Sequence, residues 1–402
     1  MTTQLQLPTL QGAPRRVALQ PAALQPAALQ PAALQLVALS PGRPATSRTA
    51  YAAVHVVADA WAEPTGNGVC RWDPEATLAF RHHVWDQGLG VAEAMDTAQR
   101  GMGLGWDQAR DLIALTLDAA EGRGGAEVVV GVAADQLEGE AALPLRQIVD
   151  AYLEQLDFVE SRGGRAIIMA SRALARSATS AADYEEAYRQ ILSAARRPVM
   201  LHWLGEAFDP LLRGYWGGTD LEHAAETVLR IMETAGPERV SGIKLSLLDQ
   251  DFEVRFRARL DCGQIVFTGD DFNYPALIAG DGGHFSHALL GVFDAIAPLA
   301  GAALRRLDEA DRDGFRAILD PTLPLARHVF SGPTQYYKVG VVFLAWLNGH
   351  QDHFRMIGGL EGQRSLAHLL EVAELAAACG ALQNPALAQE RIDSLCRMAG
   401  VA

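Results

Sequence analysis

The segment Val240-Ser-Gly-Ile-Lys-Leu-Ser-Leu-Leu248 places a lysine inside an apolar run of strand length. The chain of 402 residues contains one further lysine, Lys338, and arginine supplies nearly all of its positive charge. A buried ammonium is costly unless it is paired or gives up its proton, and a neutral lysine can form a Schiff base, which arginine cannot. Lys244 is therefore predicted to be a structural ion-pair partner or a nucleophile. A structural role is expected for Lys338.

Short apolar runs alternate with amphipathic segments from about residue 50 onward, which is typical of βα units around a parallel sheet. The run that contains Lys244 is the sixth of eight, which span residues 51–58, 88–95, 126–134, 165–170, 198–204, 240–247, 264–268 and 283–289. Between the third and fourth runs, apolar residues at helical spacing predict a helix; they are Leu145, Ile148, Val149, Tyr152, Leu156 and Val159. The predicted fold is a (β/α)8 TIM barrel, and no Gly-x-Gly-x-x-Gly follows the first strand to indicate a dinucleotide site.

Three parts of the chain are distinguished by composition. Residues 1–45 carry the repeat Leu-Gln-Pro-Ala-Ala at Leu19, Leu24 and Leu29, and its regular prolines predict a disordered tail. Residues 46–300 are predicted to form the barrel, and residues 301–402 a helical extension packed on it. Within that extension, helices are expected at residues 323–329, 337–347, 366–378 and 385–397.

The overall charge and the cysteines restrict the class of partner. A net charge of −14 argues against nucleic acid or an anionic membrane surface as a partner, so a small molecule is expected. No apolar run reaches the roughly 18 residues that a membrane-spanning helix requires. The four cysteines are far apart and form no Cys-x-x-Cys pair, which predicts neither disulfides nor a zinc site and favours the cytoplasm.

Barrel enzymes place their chemistry at the C-terminal ends of the strands, so the polar residues there are the candidates for a site. His202 ends an apolar strand, where it could be a core histidine or a proton carrier. Asp135, Asp270 and Asp271 could each cap a helix instead of binding a ligand. The residues predicted to contribute to the site are Asp96, Thr97, Arg172, His202, Trp203, Lys244, Gly269, Asp270, Asp271 and His284.

Three segments in register together resemble one enzyme family. Ser241-Gly-Ile-Lys-Leu-Ser246 resembles the Gly-Ile-Lys strand with the Schiff-base lysine of the dihydrodipicolinate synthase and N-acetylneuraminate lyase family. Phe267-Thr-Gly-Asp-Asp271 is similar to the Ser-Gly-Asp-Asp turn of that family, and Gly280-Asp-Gly-Gly-His-Phe-Ser286 is similar to its Gly-Gly-x-Gly-Val-Ile-Ser strand. The chain is accordingly identified as a divergent member of this group of class I aldolases.

This resemblance implies a barrel with C-terminal helices, a homo-oligomer that is a dimer or tetramer, and lyase chemistry on a small carbonyl compound. Lys244 would form the imine, so no other cofactor is expected. His202 stands where the family has a tyrosine that relays protons. The remaining residues of the predicted set would bind the substrate.

One departure from the family puts its 2-keto acid substrate in question. Asp96-Thr-Ala-Gln-Arg100 replaces the family's Gly-Thr-Thr-Gly-Glu, and Asp96 would repel a substrate carboxylate unless Arg100 or Arg172 offsets its charge. A keto-sugar or another polyhydroxylated ketone or aldehyde is therefore as well supported as a 2-keto acid. The segment 206–218, which contains Tyr215 and Trp216, is expected to form a lid or a sugar-stacking wall.

Two other functions remain open at the level of sequence. A metal-dependent isomerase or class II aldolase would use Glu93, Asp135, His202 and His284 as ligands of a divalent ion, although no tight ligand pair such as His-x-His supports it. A barrel without catalytic activity could instead bind a small molecule. Neither the substrate nor the direction of the reaction follows from the sequence.

Overall fold

The computed structural model describes residues 4–9, 12–18, 42–63, 71–137, 139, 141–260, 263–281 and 283–401. Its contacts divide the chain into two compact units. The barrel unit consists of Thr49–Val54 and Gly90–Leu290, and the helical unit consists of Met1–Arg48, His55–Leu89 and Gly291–Ala402.

The described strands form one barrel and one separate hairpin. In chain order they are β1 (Gln4–Thr9), β2 (Gly12–Ala18), β3 (Ala50–Ala53), β4 (Gly90–Glu93), β5 (Val128–Val132), β6 (Arg165–Ile168), β7 (Val199–Leu204), β8 (Val240–Ser246), β9 (Ile265–Thr268) and β10 (His287–Leu290). Strands β3 to β10 pair in parallel, each with the next along the chain, and β10 closes the barrel against β3. Each of the eight predicted apolar runs overlaps one barrel strand, so the predicted (β/α)8 fold is confirmed.

The helices of the barrel unit are α2 (Trp106–Gly122), α3 (Leu145–Ser161), α4 (Arg172–Ser177), α5 (Ala181–Ala194), α6 (Leu221–Ala235), α7 (Gln250–Arg257) and α8 (Tyr274–Ala279). The helical unit contains α1 (Pro74–Asp86) and α9 (Val292–Ala295). The remaining helices of the helical unit are α10 (Ala297–Asp308), α11 (Arg312–Leu319), α12 (Leu323–Val329), α13 (Tyr337–Leu347), α14 (Leu366–Cys379) and α15 (Pro385–Met398). The four C-terminal helices predicted from apolar spacing are thus present as α12 to α15. Among the helices described, none is long and apolar enough to cross a membrane.

Alternation along the strands decides which side chains enter the barrel. Met200 of β7 and Phe267 of β9 belong to the apolar cluster that fills the interior. Because neighbouring side chains on a strand point to opposite faces, His202 shares the inward face of β7 with Met200. The register pairs His202 with Lys244 and Lys244 with Phe267, so Lys244 lies on the inward face of β8.

The last barrel strand begins four residues later than the sequence pattern predicts. Gly280 ends α8 with a φ of 74°, and the carboxylate of Asp281 then accepts a hydrogen bond from the backbone N–H of His284 at 3.0 Å. This turn precedes β10, which starts at His287. The apolar run therefore includes a turn that its composition did not separate from the strand.

A hairpin in the helical unit corrects part of the prediction for residues 1–45. Strands β1 and β2 pair antiparallel, with Gln6 opposite Arg16. The side-chain amide of Gln389 on α15 accepts a hydrogen bond from the backbone N–H of Gln6 at 2.7 Å and donates one to its carbonyl at 3.0 Å. Residues 4–9 and 12–18 are thus ordered strands, whereas the Leu-Gln-Pro-Ala-Ala repeat lies outside the described residues.

The helical unit contains a buried charged network centred on His55. Its ring Nδ1 lies 2.8 Å from Oδ2 of Asp294, and its Nε2 lies 3.2 Å from Oε1 of Gln351. The amide nitrogen of Gln351 donates to the carbonyl of His353 at 2.6 Å, which fixes the oxygen toward His55. Both ring nitrogens of His55 therefore lie next to side-chain oxygens, which fixes the orientation of the ring.

We expect Asp294→Ala to lower the free energy of unfolding by about 1–3 kcal/mol, because it leaves the buried backbone N–H and ring Nδ1 of His55 without their common acceptor. Urea titration followed by circular dichroism would measure the loss. Asp352→Ala is a suitable control, since Asp352 is fully exposed and lies 3.8 Å from Arg391, and it should change stability by less than about 1 kcal/mol. Equal effects of the two substitutions would contradict a structural role for the network.

Candidate active site

Lys244 is held inside the barrel by its strand. The side chain is buried, with 4% of the residue exposed, and it projects inward from the fifth position of β8. The structure records no hydrogen bond or ion pair from its Nζ to any residue that it describes. An amine that is buried without a close partner fits a nucleophile better than it fits a structural ion pair.

A glycine on the neighbouring strand leaves room for this lysine. Gly269 directly follows β9, and its N–H donates to the carbonyl of Leu245 at 2.7 Å. A Cβ atom built at Gly269 would lie 2.8 Å from Cε of Lys244 and would also collide with the hydroxyl of Ser246. The absence of a side chain at this position is therefore a steric requirement for the observed positions of Lys244 and Ser246.

Burial and the neighbouring charges change the pKa of Lys244 in opposite directions. Burial lowers its pKa, because desolvation disfavours the ammonium form, while the charges of Asp96 and Asp271 raise it. Desolvation is the larger effect, so the pKa lies below the usual value for lysine. A larger fraction of the amine is consequently unprotonated at a given pH than in an exposed lysine.

His202 is the nearest strand neighbour of Lys244 that carries a titratable ring. It is fully buried, and its Nε2 lies 3.1 Å from Oγ of Ser246. Its Nδ1 has no hydrogen-bond partner among the residues that the structure describes. Burial lowers its pKa well below the usual value, the charge of Lys244 lowers it further, and Asp96 opposes both. The ring is therefore neutral at physiological pH.

Asp96, Thr97 and Asp271 follow strands at the same end of the barrel. Asp96 and Thr97 form the short 3-10 turn Asp96–Ala98 just after β4, and Asp271 lies two residues beyond Gly269. Thr97 and Asp271 are buried. The electrostatic effects of Asp96 and Asp271 on Lys244 place their charges in the environment of the lysine.

The two arginines predicted to offset Asp96 are bound to other groups. Arg100 donates to both carboxylate oxygens of Asp135, at 2.7 and 2.6 Å, and to the amide oxygen of Gln155 at 2.7 Å. Burial would raise the pKa of Asp135, but Arg100 lowers it below its usual range. Arg172, at the start of α4, pairs with Asp209 at 2.6 Å. Each arginine thus already has a carboxylate partner.

Two predicted site residues, Trp203 and His284, lie away from Lys244, and a third, Asp270, is engaged in a turn. Trp203 points away from the interior because it neighbours the inward His202, and it packs in the helix layer against Phe252 of α7 at a ring distance of 5.5 Å. His284 is exposed and precedes β10, so it lies at the N-terminal ends of the strands. Asp270 is a turn cap that accepts hydrogen bonds from the backbone N–H groups of Phe272 and Asn273, at 2.8 and 3.1 Å. The structure therefore does not bring Trp203 and His284 together with Lys244, whereas Asp270 stays at the end of β9 with its carboxylate engaged in the turn.

The four residues considered as metal ligands are not brought together. Glu93 faces α2, where its carboxylate accepts a hydrogen bond from Thr116 at 2.6 Å. Asp135 is bound to Arg100, and His284 lies at the opposite end of the strands from the site. Within the described ranges, no group of three or more His, Cys, Asp or Glu residues is arranged to hold a metal ion.

The segment 206–218 does not present its aromatic side chains to solvent. Tyr215 and Trp216 are buried, and Trp216 packs against Tyr188 of α5 at a ring distance of 4.6 Å. The hydroxyl of Tyr215 accepts a hydrogen bond from the backbone N–H of Ser171 at 3.3 Å. These two residues anchor the segment in the barrel unit, which corrects the expectation that they form a sugar-stacking wall.

One polar residue with a clear role was missing from the sequence-based candidates. Ser246 was a candidate because it ends the strand of Lys244, and it is the hydrogen-bond partner of His202. Glu253 of α7 accepts hydrogen bonds from Ser286 at 2.7 Å and Thr268 at 3.1 Å, and burial raises its pKa to about 8. Its partners are distant in sequence, so no local pattern indicated this cluster.

Solved structures with a similar fold are dihydrodipicolinate synthases. The enzyme from Aquifex aeolicus has a TM-score of 0.62 at 16% identity, with 84% of this chain and 100% of that chain covered. The enzyme from Thermotoga maritima has a TM-score of 0.61 at 15% identity, covering 83% and 99%, and that from Bacteroides thetaiotaomicron has 0.59 at 15%, covering 85% and 99%. The resemblance noted in the three sequence segments is thereby confirmed for the fold, which is a barrel of the dihydrodipicolinate synthase type.

The sequence itself assigns the chain to a family. Residues 20–401 match the family described as "Protein of unknown function (DUF993)", and the chain belongs to this family. No curated protein matches the sequence.

Replacing Lys244 by methionine tests whether Lys244 is a nucleophile or a member of a structural ion pair. We expect Lys244→Met to leave the free energy of unfolding unchanged or to raise it by about 0.5–2 kcal/mol, because burial disfavours the ammonium. Thermal and urea unfolding would measure the change. A loss of about 3–5 kcal/mol would instead indicate a structural pair with Asp96 or Asp271. Lys338→Met is the matched control, and it should be destabilising because Nζ of Lys338 donates to the carbonyl of Gln335 at 3.0 Å.

Proposed function

We propose that this protein is a lyase of the class I aldolase type, in which Lys244 forms a Schiff base with a small carbonyl substrate. The observation that carries the proposal is the buried side chain of Lys244, which lies inside a barrel and whose Nζ has no hydrogen bond or ion pair among the described residues. Its lowered pKa supplies the free amine that attack on a carbonyl requires. The imine is itself the electron sink, so the proposal invokes no further cofactor.

An aldol cleavage can be written with groups of this kind. The amine adds to the substrate carbonyl carbon and water leaves, which gives a protonated imine. A base takes the proton from the hydroxyl on the β carbon, the bond between the α and β carbons breaks, and its electron pair forms an enamine as an aldehyde departs. Protonation of the enamine carbon and hydrolysis by water then release the second carbonyl product and restore the amine. Condensation is the reverse sequence, and loss of the β-hydroxyl as water would give dehydration.

His202 is the group that we assign to proton transfer. It is neutral, it neighbours Lys244 across the β7 and β8 pair, and its Nδ1 is not engaged by another described residue. A neutral imidazole can accept the hydroxyl proton and return it to the enamine carbon. The hydrogen bond between Nε2 of His202 and Ser246 would hold the ring in one orientation during these transfers.

The fold similarity supports the class of reaction without supplying the substrate. The similar structures are named dihydrodipicolinate synthases, and the three segments that resemble that family include Lys244, Gly269 and Asp271. At 13–16% identity the fold is shared, but one barrel fold serves many chemistries, so the reaction has to be argued from the site.

Reductive trapping tests the proposal directly. Incubation with cyanoborohydride and a panel of 2-keto acids, keto-sugars and small aldehydes should add the mass of one reduced substrate to the peptide that contains Lys244. Lys244→Arg should abolish the adduct, because a guanidinium does not form an imine. Lys338→Arg is the matched control and should retain it. The proposal fails if no carbonyl compound modifies Lys244, or if the adduct survives in Lys244→Arg.

The pH dependence of trapping follows from the shifted pKa of Lys244. Below this pKa the ammonium cannot attack, so the rate of adduct formation should rise with pH, with its midpoint below pH 10.5, the usual pKa of lysine. Asp96→Asn should move the rise to lower pH, because the carboxylate of Asp96 raises this pKa. A rise centred at or above pH 10.5 would contradict the assigned environment of Lys244.

His202→Asn should separate imine formation from the later proton transfers. We expect turnover of a substrate that the wild type converts to fall by roughly 10²–10⁴-fold, the usual contribution of a general acid or base. Trapping at Lys244 should persist, because the amine remains. If turnover is unchanged, His202 is not the proton carrier.

A further inference from the structure

Two acidic residues lie at the same end of the barrel as Lys244 and act on its charge. Asp96 follows β4 and Asp271 follows β9, both at the C-terminal ends of the strands, and Asp271 is 3% exposed. Gly269, whose missing side chain leaves space for Cε of Lys244, is only two residues from Asp271. The amine of Lys244 thus shares its environment with these two carboxylates.

The two nearby arginines, Arg100 and Arg172, are each bound to a carboxylate other than Asp96 and Asp271. The guanidinium of Arg100 is 5% exposed, makes two hydrogen bonds to Asp135, and also donates to the carbonyls of Ala94 and Gly131 at 3.2 and 3.1 Å. Arg172 is bound to Asp209 through Nε and donates through Nη1 to the carbonyl of Gly101 at 3.1 Å. An Arg100 released to bind a substrate carboxylate would give up its ion pair with the half-buried Asp135 and its hydrogen bond to Gln155, which is unfavourable.

A second observation indicates which polar groups the ligand carries. Nδ1 of His202 is buried inside the barrel and has no hydrogen-bond partner in the described part of the chain. A buried polar atom of this kind is normally satisfied, so it marks a position where a ligand or water forms a hydrogen bond. A neutral imidazole nitrogen pairs well with a hydroxyl group, and carboxylates accept hydrogen bonds from hydroxyls.

We infer that the carbonyl substrate is an uncharged hydroxylated ketone or aldehyde rather than a 2-keto acid, and that Asp96 and Asp271 are the residues that set this preference. Their carboxylates accept hydrogen bonds from substrate hydroxyls and repel a substrate carboxylate. The inference rests on the proposed Schiff-base function and specifies the substrate class of the same site. The inferred substrate class also differs from the 2-keto acid that the resemblance to the dihydrodipicolinate synthase family implies.

The test compares two carbonyl compounds of nearly equal size that differ in charge. Hydroxyacetone carries a hydroxymethyl group where pyruvate carries a carboxylate, and both offer a methyl ketone to the amine. Each would be trapped with cyanoborohydride on the full-length protein at pH 7.5, and the rate of adduct formation at Lys244 would be measured by mass spectrometry. Corrected for the intrinsic rates on a free amine, wild type should favour hydroxyacetone by at least about tenfold, as expected for like charges in a partly buried site.

Removing the charge of Asp96 or Asp271 should reduce the preference for hydroxyacetone over pyruvate. Asp96→Asn and Asp271→Asn each keep the size of the side chain and remove its charge, so pyruvate trapping should rise by about fivefold or more relative to hydroxyacetone. Asp251→Asn is the control, because Asp251 is an exposed residue of α7 and should leave the ratio unchanged. If a carboxylate variant does not fold, the corrected wild-type ratio still decides the question.

The possible results distinguish this inference from the proposed function. Equal or faster trapping of pyruvate at Lys244 in the wild type would overturn the inference while leaving the Schiff-base function in place. Trapping of neither compound, nor of any other carbonyl in the panel, would overturn the function itself. A wild-type preference for hydroxyacetone that neither carboxylate variant reduces would show that Asp96 and Asp271 do not set it, and that assignment would be rejected.

Discussion

Desolvation of one amine is the constraint on which the candidate site depends. Strand alternation turns Lys244 into the interior, barrel closure removes it from water, and Gly269 leaves the space that its side chain occupies. Asp96 and Asp271 limit the resulting fall in pKa without forming a close ion pair with Nζ. The pKa of this amine is therefore lowered by its position in the fold rather than by a single neighbouring group.

The same arrangement makes the surrounding residues interdependent. His202 is neutral because it is buried beside Lys244, and it retains one ring nitrogen for a ligand because Ser246 occupies the other. Arg100 is unavailable to a substrate because it holds Asp135 and Gln155 in place. The candidate site thus combines one amine with a lowered pKa, one neutral ring and two carboxylates, and burial is the main cause of the first two states.

Much of this could be predicted from sequence because the relevant signals are local. Apolar runs located all eight barrel strands, and the motif around Lys244 identified both the fold type and the candidate nucleophile. The alternation of side chains along β7 would also have excluded Trp203 from the site, because its side chain points to the face opposite that of His202. His284 was misplaced because the turn at Gly280 and Asp281 delays the start of β10. The pairing of Arg100 with Asp135 and the network of Glu253 depend on contacts between distant segments, which no local pattern reveals.

The division of the chain into units has a consequence for biosynthesis. The helical unit is assembled from three separated stretches, and His55 is joined in it to Asp294 and Gln351, 239 and 296 positions further along the chain. The barrel itself closes only when β10 pairs with β3. Contacts across such long separations form slowly because the intervening chain must first be ordered. The barrel can therefore close only after β10, which ends at Leu290, has left the ribosome, and the network of His55 needs the chain as far as Gln351, so the nascent protein exposes apolar strands until then.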